Sequence, residues 1–220
     1  MRIRYRKGTN PVKRIWNNIN RSGSGLRPAG EAGIHREPDE QKEDPHRRHV
    51  QGWMALAESE KVWQAETDPS GTGIVSRTPC KITDRAPAFA DADAGTVEIR
   101  LSKGERMYVF PDDRILMVLG KRTEMISRKD LRIDFASERF VEDGPVPEDA
   151  RVVDYAWRYK TRAGKMGRRY RVNYQLPVCL YGHIIISGAG LNVHLLVSNG
   201  EALKEFARLC APSGAVPQNV

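Results

Sequence analysis

Cysteine is scarce in this sequence and unpaired in its pattern. Three occur, Cys80, Cys179 and Cys210, far apart and with no C-x-x-C among them. That excludes a readable disulfide framework or thiolate cage and predicts reduced, buried thiols in a cytoplasm. Long apolar runs are missing too. The longest, around Ile115–Leu119 and Ile184–Ile186, are strand-sized, well short of the roughly 18 residues a transmembrane helix needs. The opening M-R-I-R-Y-R-K is basic but has no apolar stretch behind it, so no secretory signal is expected.

Motifs that specify a reaction are also absent. G-T-G at Gly71–Gly73 and G-A-G at Gly188–Gly190 read as turns, because neither joins a strand to a helix in a βαβ unit. Cys179 sits in an apolar P-V-C-L-Y context with no identifiable base. His46 and His49 share one helix face by spacing, but Arg47 and Arg48 between them disfavour a cation. His183 and His194 lie on either side of the Gly188–Gly190 turn, where they either face each other or sit half-buried at the surface. No nucleophile–base or carboxylate pair can be placed in one pocket. The expectation is a chain that is not an enzyme and uses no metal or cofactor.

What the sequence does have is positive charge, gathered in two places. The net charge is +8, and residues 1–36 carry all of it, with nine Lys/Arg against Glu31 alone. This arm offers Arg2, Arg4, Arg6, Lys7, Lys13 and Arg14 as anion contacts. It is also rich in Gly and Pro and poor in apolar residues, so residues 1–45 are expected to be a poorly structured arm. The second concentration is residues 151–171, with eight basic residues and one acid, Asp154. Here Arg158, Lys160, Arg162, Lys165, Arg168, Arg169 and Arg171 are the candidate anion or nucleic-acid contacts, since arginine matches phosphate bidentately. The plainer reading is a solvated strand face balanced by the acidic 105–149 region; both stand on sequence grounds. Val153, Tyr155, Trp157 and Tyr159 alternate with these charges. An aromatic line on an alternating strand usually packs, so it is expected in the core.

Asp44-Pro45 reads as an N-cap and first helical residue. The good helix formers that follow predict a helix over 46–66, with Trp53, Leu56 and Trp63 near one face. Residues 67–94, rich in Pro, Gly, Ala and Asp, read as a linker with one short strand near Gly73–Arg77. From Gly95 about eight short alternating segments follow: Thr96–Leu101, Met107–Phe110, Ile115–Leu119, Thr123–Ser127, Asp130–Phe135 with Arg139–Val141, Arg151–Thr161 with Arg168–Tyr174, Pro177–Ser187 and Asn192–Ser198. A final helix is predicted behind a capping box at Ser198–Glu201, with Leu203, Phe206, Ala207 and Cys210 as its apolar stripe. The fold class is therefore mainly β: a barrel or sandwich over 95–211, capped by the C-terminal helix and followed by a tail at 212–220.

The meander, the F-P-D-D-R-I-L-M hairpin at Phe110–Met117 and the closing helix resemble the pleckstrin-homology-like superfold. Within residues 104–211, D-G-P-V-P, W-R-Y, R-R-Y, P-V-C-L-Y-G, G-L-N and S-N resemble an uncharacterised bacterial domain family with the pattern W-R-Y…R-R-[FY]…P-V-x-L-Y-G. The chain departs from that pattern at Lys160–Gly167. The R-Y-R-K and N-R-S-G of the arm are similar to the start of a second bacterial family of unknown function. Neither resemblance implies a catalytic residue.

Together these features predict a binding module that engages an anionic macromolecule, nucleic acid first, through arm and hairpin. The alternatives are an adaptor for a lipid-headgroup or membrane surface, and a protein-interaction subunit. In the latter, residues 1–66 meet a protein partner through Trp16, Trp53 and Trp63.

Overall fold

The structure, a computed structural model, describes residues 45–70, 73–88, 95–167, 169 and 171–210, with backbone alone at 45–47. The proposed cap Asp44, the arm and the 212–220 tail lie outside the described residues. Helix α1 spans Pro45–Ala57. Proline fits its first position, where the missing N–H has no intrahelical role.

The helix expected over 46–66 is corrected here: Val62–Thr67 is strand β1. Its residues favour a helix locally, but β1 is paired on both edges, by β2 (Ile74–Pro79) and by β11 (Leu191–Val197). Ladder pairing outweighs a helix propensity worth only tenths of a kcal/mol per residue. The 67–94 linker is corrected likewise, since it holds β2 and β3 (Lys81–Asp84). The folded unit therefore begins by Pro45, not at Gly95.

Two antiparallel sheets result. The second sheet runs β3-β4-β5-β6-β7, with β4 at Val97–Arg100, β5 at Arg106–Val109, β6 at Arg114–Leu119 and β7 at Arg122–Ser127. The first runs β2-β1-β11-β10-β8, with β9 also paired to β10. Here β8 is Arg132–Val141, β9 Arg151–Trp157 and β10 Gln175–Gly188. The segments 130–135 and 139–141 are thus one continuous strand. The architecture is mainly β, as expected, but it is two sheets rather than a closed barrel.

The core lies between the sheets. Val97, Ile99, Met107, Val109, Ile115 and Met117 of one face Ile184, Ile186, Val193, Leu195 and Val197 of the other. Trp53 and Leu56 of α1 and Leu203 and Phe206 of α2 (Gly200–Cys210) complete it. Helix α2 closes down on Gly182, where a Cβ would lie 2.7 Å from Val197 Cγ2 and 2.8 Å from Leu203 Cδ2. The cap of α2 differs from the expected box. Asn199 Oδ1 accepts from the N–H groups of Glu201 and Ala202. The Ser198 hydroxyl instead joins both backbone polar groups of Lys61, tying the end of β11 to the entry of β1.

The outer faces are not bare. On the first sheet Trp63, Ala65, Cys179, Tyr181 and Leu196 pack with Phe140, and Val146 and Ala150 of the loop after β8 fold over them. On the second, Tyr108, Phe110 and Leu116 form a smaller cluster. Trp53 and Trp63 are both buried, which removes them as exposed anchors for a partner; Trp16 lies outside the described residues.

Candidate anion-binding hairpin

Strand β10 is long enough to outrun its neighbour β11, whose pairing ends at Gly182↔Val197. Strand β9 continues along the same edge, from Leu180↔Arg151 to Gln175↔Trp157. The ladder then runs past the end of the sandwich. The Arg158 N–H donates to the Tyr174 carbonyl at 2.9 Å. Asn173 acts as a pin: its Oδ1 accepts from Tyr159 N–H at 3.1 Å and its Nδ2 donates to the Tyr159 carbonyl at 2.8 Å. The Gly167 N–H also donates to the Tyr159 carbonyl, Lys160 bridges Met166, and Thr161–Lys165 forms the turn. None of the described residues of the expected return strand Arg168–Tyr174 is in a strand, and the side chain of Asn173 does the pairing. The described residues 169, 171 and 172 are turn and bend.

The core expectation for the aromatics is overturned. Tyr155 is 60% exposed, Tyr159 36% and Tyr174 43%, and Val172 reaches 71%. Trp157 is half-buried. The cause is topological: the shared core holds no residue between 136 and 183, so the second sheet does not cover this end of β9 and β10.

The candidate cations divide. Arg158 is committed: it pairs with Asp143 at 2.8 Å, donates to the Tyr174 hydroxyl, and stacks 5.4 Å from the Tyr174 ring and 5.8 Å from that of Tyr159. Lys160, Arg162, Lys165, Arg169 and Arg171 are exposed, and none has an ion pair among the described residues. Of the nearby acids, Asp143 is held by Arg158, and Asp154 accepts from the Tyr155 N–H. Arg168 and the arm residues Arg2, Arg4, Arg6, Lys7, Lys13 and Arg14 lie outside the described residues.

The three thiols and the rings of His49, His183 and His194 are engaged within the fold. Burial pushes the thiols of Cys80 and Cys210 up to about 12 and raises that of Cys179, so all three stay protonated at neutral pH. His49 accepts from Trp53 Nε1 at 3.2 Å; the side chain of His46 lies outside the described residues. His183 Nε2 and His194 Nδ1 face each other at 3.0 Å, and Asn192 Oδ1 lies 3.1 Å from His194 Nε2. Among the described residues no three of His, Cys, Asp and Glu gather as a metal-ligand set, and no helix is long and apolar enough to cross a membrane.

Two networks were not foreseen from sequence. Arg77 pairs with buried Glu142 at 2.6 Å, its guanidinium 4.3 Å from the Trp63 ring and 4.2 Å from that of Phe140, while the Tyr181 hydroxyl donates to the same carboxylate. On the second sheet, fully buried Glu98 receives Arg100, Arg106 and Tyr108. The only available signal was polar residues on alternating strands, which does not tell a buried carboxylate from a solvated one. No family model, curated protein or solved structure matches this chain.

Proposed function

We propose that this chain is a non-catalytic binding module that engages nucleic acid through the cationic arm and the 158–171 hairpin. The observation that carries the proposal is the set of five exposed cations, Lys160, Arg162, Lys165, Arg169 and Arg171, with no ion-pair partner among the described residues. A charged strand face that existed only for solubility would be expected to mix signs; residues 158–171 contain no acid. Phosphates are the acceptors such a surface suits, because each neutralised phosphate releases condensed counterions. The protonated thiols and the internally bonded His49, His183 and His194 support a role without chemistry.

The test is affinity for RNA and DNA as a function of salt. The full chain is compared with a hairpin variant, Lys160→Gln/Arg162→Gln/Lys165→Gln, and an arm variant, Arg2→Gln/Arg4→Gln/Arg6→Gln/Lys7→Gln. The log–log salt slope should shrink by about 0.7–0.9 per phosphate contact removed. No binding at low salt, or slopes unchanged by either variant, would sink the proposal. Retention by anionic vesicles and not by nucleic acid would transfer it to the lipid-surface reading.

A pleckstrin-homology-like relationship is a further part of the proposal. It rests on the β4–β7 meander and the closing helix α2.

A further inference from the structure

We infer that the hairpin takes single-stranded nucleic acid in preference to duplex, with the bases stacking on its exposed tyrosines. This rests on the nucleic-acid reading above but is carried by a different observation, the uncovered aromatic rings rather than the cations.

Tyr159, in the bend past the end of β9, brings its ring to 5.8 Å from the Arg158 guanidinium, which also lies 5.4 Å from the Tyr174 ring. Tyr155 and Trp157, two residues apart on β9, project from one face of the ladder, with Pro177 and Gln175 opposite them. At 3.2–3.4 Å per residue these two are about 6.6 Å apart. That is about twice the 3.4 Å rise between stacked bases of one strand, the spacing at which a ring can alternate with a base. Tyr155 and Tyr159 are open to solvent.

The Tyr159 backbone is pinned through both its polar groups by Asn173. Arg158 contacts the rings of Tyr159 and Tyr174 and donates to the Tyr174 hydroxyl. The turn adds Arg162 and Lys165 for backbone phosphates.

Duplex offers these rings little. Its bases are already stacked and paired, so tyrosines gain nothing there that is not offset by unstacking. A basic β-ribbon can enter a duplex major groove, but that mode uses side chains that hydrogen-bond base edges. Exposed tyrosine rings suit splayed bases, and the mode is sequence-tolerant because every base has a π-face.

The test uses the full chain with short single-stranded RNA, single-stranded DNA and the corresponding duplexes at matched salt. Single strands of both sugars should bind more tightly than duplex, the RNA and DNA arms identifying the preferred sugar. Tyr155→Ala and Tyr159→Ala should each weaken single-strand binding at least five-fold, with the salt slope unchanged, while leaving duplex binding as it was. Tyr155→Phe and Tyr159→Phe should retain the wild-type affinity, which separates stacking from a general loss of structure. Duplex bound as tightly as single strand, or Ala variants indistinguishable from wild type, would overturn the inference and leave the charge-based proposal standing. No binding to any nucleic acid would remove both.

Discussion

Glu142 shows what a single buried charge demands of its neighbours. It is 2% exposed; Arg77 and the Tyr181 hydroxyl converge on it, and the rings of Trp63 and Phe140 pack on the Arg77 guanidinium. A buried ion pair gives weak evidence of net stabilisation, because desolvation offsets the attraction, but removing one partner strands the other. Arg77→Met should therefore cost roughly 3 kcal/mol, the lower end of the range because Arg77 remains a fifth exposed. Combining it with Glu142→Leu should restore much of that loss. Urea unfolding of the two variants checks both, and a cost under about 1 kcal/mol for Arg77→Met would show the carboxylate to be hydrated. His183 makes a second residue-scale case. Burial, then the neighbouring His194, lowers its pKa from 6.5 to about 4. As pH falls, the unfolded chain takes up this proton first. The stabilisation is thus complete above about pH 6.5, is lost between 6.5 and 4, and changes no further below that. The full loss is of order 3 kcal/mol. His183→Gln should flatten the stability difference across that window. Carboxylates titrating in the same range are common to both proteins and cancel in the comparison. A pH profile identical to wild type would mean His183 is solvated and titrates normally.

At the scale of elements, legibility followed how one-sided each segment's surroundings are. The strands β4 to β7, β10 and β11 and the helix α2 were readable because alternation or a 3.6-residue stripe matches one core face and tight turns separate them. The β1 segment was not. Val62 faces the shared core while Trp63 and Ala65 face the outer cluster, and such two-sided burial erases the period that tells strand from helix. The β2–β3 region reads as linker by composition because its ladders form with β1, itself read as helix, and with β4, the strand that follows it. The hairpin failed for the opposite reason. Its alternation is clean, yet the layer that would bury the Tyr155–Tyr159 face is missing at that end of the sheet, and no local pattern records where an opposing sheet stops. The positions of the candidate cations were legible from composition alone. Their freedom from acids was not, because Asp143 meets Arg158 across fifteen residues of chain.

For the whole molecule, the two sheets and two helices contribute to one continuous apolar cluster, in which Trp53, Val97, Met107, Ile184, Leu195 and Phe206 all take part. Neither sheet can open without exposing the inner face of the other, so the sandwich should behave as one cooperative unit. The hairpin beyond Trp157 adds no residue to that cluster. Its ladder is short and solvent-exposed and depends on the amide of Asn173, the features of a segment that opens locally at low free energy. Stability is then divided in the way a binding hairpin requires: a rigid frame fixes where β9 and β10 emerge, and a separately opening tip can adjust to a ligand. Native-state hydrogen exchange tests this division. Amides of β5 and β6 should share one opening free energy with those of β10 at 182–188 and of β11, while Gly164 and Gly167 exchange well ahead of them. Two distinct free energies for the two sheets would break the single-core account, whereas a tip protected as strongly as β10 would mean that the hairpin is part of the frame and presents its tyrosines as a fixed surface.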